Sequence, residues 1–126
     1  MNISDGEVRQ YGKYGKWYLV KGLWSNPVKN GRMLELVQEM LPGAGITELC
    51  LNRQVVCKPH RDKANTGASY ALFLGEFTGG ALVLEDGARF EQRGQWMGPI
   101  LGSELIHWNE PITDGIKYSV IAYSRS

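Results

Sequence analysis

Residues 69–97 read SYALFLGEFTGGALVLEDGARFEQRGQWM. Short apolar, β-branched and aromatic runs alternate there with glycines at 75, 79, 80, 87 and 94. Runs of that length between turn-forming residues predict short strands. Asp86-Gly87, lying between two such runs (81–85 and 88–92), is a hairpin signal, because a two-residue turn needs positive φ.

The same texture extends in both directions. Strands are predicted at 47–51, 54–58, 69–75, 81–85, 88–92, 95–97, 104–108 and 117–123. That many short strands predict a mainly β chain, rolled into an antiparallel sandwich or jelly-roll (cupin-like) barrel. One end of such a barrel is hollow, and function tends to sit there. Upstream, a short strand is expected at 16–20 and then a helix. Asn26 has the chemistry of an N-cap and Pro27 suits the first helical position. Met33, Leu34, Val37, Met40 and Leu41 recur at the spacing of one helical stripe, and Pro42-Gly43 stops it. The expected organisation is one domain, residues 1–126. Its segment 1–46 supplies a strand and one or two helices packed outside, and 47–126 supplies the β core.

Composition narrows the function classes. The 126 residues are 43% hydrophobic and 21% charged, which excludes disordered and collagen-like chains. No apolar run is long enough to span a bilayer, and the first residues lack the basic start and apolar core of a signal peptide. An intracellular protein with no membrane partner is expected, its Cys50 and Cys57 free thiols in a reducing compartment. Glycine, at 16 residues, is nearly twice as frequent as usual. The net charge of +1 hides an asymmetry. Residues 1–32 carry six basic and two acidic groups, a balance of +4. The remainder carries eight basic and eleven acidic groups, a balance of −3. The basic third also holds Tyr11, Tyr14, Trp17, Tyr18 and Trp24. Lysines interleaved with aromatics can contact phosphates and stack bases, or they can form a solvated outer layer.

The chain has two histidines, His60 and His107. In an extended segment His60 and Asp62 project to one face, and Pro59 keeps the approach straight. Two imidazoles and one carboxylate are the facial set that suits non-haem Fe(II) and leaves positions open for substrates. Spacing alone fits a hydrogen-bonded core histidine better than a ligand. Lys117 and Ser119 share a face with Ile121 and Tyr123, which would line the barrel interior. A lysine placed there needs an anion, and a dicarboxylate supplies one.

Asn52, Cys57-Lys58-Pro59-His60-Arg61-Asp62, Asn65-Thr66-Gly67, Ser69-Tyr70, Leu74-Gly75 and Thr78-Gly79-Gly80 resemble the core of the Fe(II)/2-oxoglutarate-dependent dioxygenases. Within that superfamily they are most similar to the TET/JBP-type nucleic-acid dioxygenases. His107, Pro111 and Gly115-Ile116-Lys117-Tyr118-Ser119 resemble the distal end of the same pattern, so the resemblance covers about residues 47–124. It implies a double-stranded β-helix, with Fe(II) on His60, Asp62 and His107. It also implies 2-oxoglutarate with its far carboxylate on Lys117 and Ser119, and dioxygen as co-substrate. The expected reaction is hydroxylation of a C–H bond, with succinate and carbon dioxide as co-products. The TET/JBP group usually has arginine where Lys117 stands, whereas other branches, including prolyl hydroxylases, use lysine. Arg125 is a second cation for the same carboxylate.

Asn52 and Tyr70 are candidates to hydrogen-bond 2-oxoglutarate, or else a turn residue and a core aromatic. Asn65, Arg61, Trp96 and Trp108 are candidates to face substrate, the tryptophans alternatively as core. Arg53, Lys58, Arg61 and Lys63 crowd the metal motif; they read first as an ordinary solvated face, and alternatively as a field that favours an anionic co-substrate or a phosphate backbone. The expected substrate is a methyl-bearing pyrimidine in nucleic acid. The alternatives are a protein side chain or small molecule, or a non-catalytic, cupin-like metal-binding domain.

Overall fold

Alternation along one central strand organises the structure. This computed structural model describes residues 23–125 and, before them, the backbone of β1 (Arg9–Tyr11) and β2 (Trp17–Leu19), which pair with each other. Strand β3 (Trp24–Val28) precedes helix α1 (Arg32–Met40). Then follow β4 (Glu48–Arg53), β5 (Ser69–Leu74), β6 (Phe77–Gly79), β7 (Leu82–Leu84) and β8 (Arg89–Phe90). The chain continues through β9 (Trp96–Ile100), β10 (His107–Asn109), β11 (Ile112–Gly115) and β12 (Tyr118–Tyr123). The large sheet has the order β3-β4-β12-β5-β9 with every pair antiparallel. Smaller sheets are β10-β7-β8 and β11-β6.

Because side chains alternate across a strand, each strand of the large sheet serves two layers. Ala71 and Phe73 of β5 with Met97 and Ile100 of β9 meet Leu82 and Leu84 of β7 in the inner core. On the other face Leu49 of β4 and Ala122 of β12 pack against Leu34 and Val37 of α1. Burying these apolar stripes on both faces is the main source of stability. No helix among the described residues is long and apolar enough to cross a membrane.

The Asp86-Gly87 turn forms between β7 and β8. Gly87 has φ 93°, the Leu84 N–H donates to the Ala88 carbonyl, the Gly87 N–H donates to the Leu84 carbonyl, and the Asp86 carboxylate accepts the Ala88 N–H. Two expectations are corrected. Asn26 and Pro27 do not start the helix: they lie in β3, where Pro27 pairs with Cys50 at the sheet's edge, a place that tolerates a missing N–H. The helix starts after Gly31, at φ 98°, with no side-chain cap, and Met33 and Met40 are left exposed on it. It is the one helix among the described residues. Residues 54–58 are not a strand. Gln54 adopts φ 61°, takes the Lys117 N–H on its side-chain oxygen, and turns the chain away.

Candidate metal centre

His60 and His107 come from different layers and meet at an isolated antiparallel bridge, each backbone N–H donating to the other's carbonyl at 3.0 Å. Two residues on, the Asp62 N–H donates to the Gly102 carbonyl at 2.9 Å, which aims the carboxylate between the imidazoles. His60 Nε2 lies 3.4 Å from Asp62 Oδ1 and His107 Nε2 lies 3.0 Å from Asp62 Oδ2. One ligand atom from each residue lies within 4.8 Å of the others. His107 is buried, and His60 and Asp62 are half-buried.

Both rings are oriented by backbone. His60 Nδ1 bonds the Lys58 carbonyl at 2.6 Å and His107 Nδ1 bonds the Leu105 carbonyl at 3.0 Å. A carbonyl can only accept, so each Nδ1 carries a proton, and Nε2, facing Asp62, is the atom on each ring that can offer a lone pair to a metal. Two lone pairs and a carboxylate then converge, which is stable only around a proton or a cation. The Asp62 hydrogen bond raises the His60 pKa against the opposing effect of burial. Burial pushes the Asp62 carboxyl up, but the two imidazoles outweigh it and hold the group well below the usual carboxylate range. The donor set fits a borderline divalent ion such as Fe(II).

These groups open into a cavity of about 650 Å³. Lys117, at the near end of β12, is 2% exposed inside it. Its Nζ donates to the Gly80 carbonyl at 2.6 Å and lies 3.7 Å from the Phe73 ring centroid. No carboxylate pairs with it among the described residues, and burial pushes its pKa down to about 8. Asn52 also lines the cavity. Ser25 Oγ donates to Asn52 Oδ1 at 2.7 Å, which leaves Asn52 Nδ2 to donate to Ser119 Oγ at 3.3 Å. Burial pushes the Cys57 thiol up to about 11 and raises Cys50 as well, so both stay protonated and unreactive at neutral pH.

The cavity brings together Asn52, His60, Asp62, Asn65, His107, Lys117 and Ser119. Four other candidates lie elsewhere. Tyr70 and Trp96 sit on the opposite face, against the helix cluster. Trp108 is half-buried, paired with Val83 beside His107, and lines no part of the cavity; Arg61 is exposed outside it. Lys13, Tyr14, Lys16 and the side chain of Trp17 fall outside the described residues. Trp24 packs at 6.2 Å from Tyr118, away from the cavity. Ser25 and Gly102 line the cavity unanticipated. Ser25 carries a signal only once it is placed in β3. Gly102 carries none: its role is to leave space, since a Cβ there would sit 3.0 Å from His107 Cε1 and 3.3 Å from Asp62 Oδ2.

No protein-family model matches the sequence, and no curated protein matches it. Solved structures do. NgTET1 in complex with 5mC DNA aligns over 76% of this chain and 42% of its own, at TM-score 0.58 and 19% identity. An oxidoreductase of the 2OG-Fe(II) oxygenase family from Burkholderia pseudomallei aligns over 98% of this chain and 72% of its own, at TM-score 0.55 and 14% identity. The chain therefore spans less than half the length of the first. With its antiparallel sheets rolled around the His60–Asp62–His107 cavity, the chain has the jelly-roll, double-stranded β-helix fold of the Fe(II)/2-oxoglutarate oxygenases.

Proposed function

We propose that the protein is an Fe(II)- and 2-oxoglutarate-dependent dioxygenase that hydroxylates the methyl group of a modified pyrimidine in nucleic acid. One observation carries the reaction class: the two-histidine, one-carboxylate set shares its cavity with a buried ammonium group that has no counter-ion among the described residues. Bound there, Fe(II) and 2-oxoglutarate supply the chemistry that converts a C–H bond to C–OH, with succinate and carbon dioxide released.

The chain's own residues do the rest. His60, Asp62 and His107 hold the metal on one side and leave its other side to the cavity. Lys117 holds the far carboxylate as a charge-assisted hydrogen bond, in a site dry enough to strengthen it. Ser119, fixed by Asn52, donates or accepts beside it. Phe73, Leu82 and Ile100 give the cavity an apolar wall.

The substrate reading is supported by the DNA-bound neighbour and by the basic, aromatic N-terminal third. Lysine at 117 favours a second reading, the same chemistry on a protein side chain or small molecule. Anaerobic addition of Fe(II) and 2-oxoglutarate should give a visible charge-transfer band. Succinate formation should then be stimulated by methylated DNA and not by peptides. Absence of the band from folded protein overturns the reaction class and leaves a non-catalytic metal-binding domain. Stimulation by peptides alone overturns the nucleic-acid substrate.

A further inference from the structure

A second cation serves the cavity from the other end of β12. Lys117, Ser119, Ile121, Tyr123 and Arg125 all line it, every second residue along one stretch. Eight residues of extended chain separate the two cations, roughly 26 Å of backbone. Even with both side chains extended towards each other, charged groups that start this far apart do not meet on one carboxylate, so Arg125 does not back up Lys117 there.

Arg125 is held in place. Its backbone N–H donates to Thr47 Oγ1 at 3.0 Å, its Nε donates to Asn65 Oδ1 at 3.3 Å, and its guanidinium lies 5.4 Å from the Tyr123 ring centroid. Asn65 is in turn tied to the metal set, since its N–H donates to the Asp62 carbonyl at 3.0 Å. The Nε bond fixes the Asn65 amide with oxygen towards Arg125 and nitrogen away from it. What remains unpartnered among the described residues is Nη1 and Nη2 of Arg125 and Nδ2 of Asn65. All three are donors, on two residues that line the cavity beside the turn carrying Asp62. No acid pairs with this guanidinium among the described residues. Its planar fork matches a carboxylate or a phosphate through two parallel bonds, which a point charge does not.

We infer that Arg125 and Asn65 form an oxyanion subsite for the substrate, separate from the Lys117 subsite, so that the substrate carries a phosphate or carboxylate near the carbon that is oxidised. This inference rests on the dioxygenase reading and deepens it. Arg125 clamps the anion, Asn65 Nδ2 adds a third hydrogen bond, and the Nε–Oδ1 bond couples the clamp to the turn after Asp62.

The test uses the full chain loaded with Mn(II) and saturated with 2-oxoglutarate, so that Lys117 is already occupied. Calorimetry measures two matched pairs that differ in the anion: thymidine 5′-monophosphate against thymidine, and N-acetylproline against its amide. The anionic member of one pair should bind about tenfold tighter or more than its neutral partner. The pair that discriminates identifies phosphate or carboxylate. Arg125→Gln should abolish the preference, and Arg125→Lys, which keeps charge but not the fork, should restore only part of it. Equal binding within both pairs, or a preference that survives in Arg125→Gln, overturns the inference. Failure of the wild-type protein to bind 2-oxoglutarate at all would instead overturn the dioxygenase reading.

Discussion

His60 and His107, 47 positions apart in the chain, are joined backbone to backbone before any ion is involved: two hydrogen bonds of 3.0 Å bring their ring centroids to 4.3 Å. The cost of closing that loop is met by backbone pairing, so a metal ion would meet ligands that the fold itself gathers.

Chelation should therefore leave the fold intact, with a melting temperature lowered only by the lost binding energy and secondary structure unchanged by circular dichroism. Asp62→Ala should abolish iron-dependent succinate formation and weaken Mn(II) binding by at least about tenfold. Unchanged turnover in that variant would mean that the ligands are misassigned.

Lys117→Met should separate binding from folding. Replacing a buried, unpaired ammonium with an apolar chain of similar volume is neutral or stabilising for the fold. The melting temperature should hold or rise, while the KM for 2-oxoglutarate rises about tenfold or more with a smaller change in kcat. Steady-state kinetics and a thermal melt on the same sample check both.

The same lysine predicts a pH dependence. Burial lowers its pKa to about 8, below the unfolded value, so the folded state disfavours the charged form. The cost is fully present below pH 8 and fades as pH rises from there towards the ordinary lysine range. The stability advantage of Lys117→Met should thus be largest near pH 7 and shrink by pH 10. Binding of 2-oxoglutarate above pH 8 should take up a proton, visible as a buffer-dependent binding enthalpy.

Two glycines should behave oppositely. Gly102 has ordinary backbone angles but no room beside His107 and Asp62, so Gly102→Ala should weaken metal binding with little loss of stability. Gly115 has φ 77°, and a Cβ there would collide with the Glu76 carbonyl. Gly115→Ala should cost about 1–3 kcal/mol in chemical denaturation and leave the metal affinity of the folded protein near wild type.

Much of this arrangement was legible because β structure has a period of two. Pro59 and the His60–Asp62 spacing placed two ligands on one face, and the same alternation put Lys117, Ser119, Ile121 and Tyr123 together. Asp86-Gly87 announced its hairpin. Other features were ambiguous for physical reasons. Asn26-Pro27 satisfies the rules for a helix start and equally those for an edge strand, and only pairing with β4 decides. Val55 and Val56 have strand-like side chains, but the positive φ of Gln54 removes them from the sheet. Tyr70 and Trp96 are aromatic on either face, and which face α1 covers is a tertiary fact. Phe77–Gly79 and Ile112–Gly115 form a two-stranded sheet whose glycines read as turns.

Strand β12 acts as a ruler. The separation of its two positively charged ends is fixed by peptide units locked between β4 and β5. Inserting a single residue would swing every following side chain from the hollow to the helix-covered face. A change of gauge that keeps every side chain on its face therefore comes in two-residue notches, each about 6.6 Å.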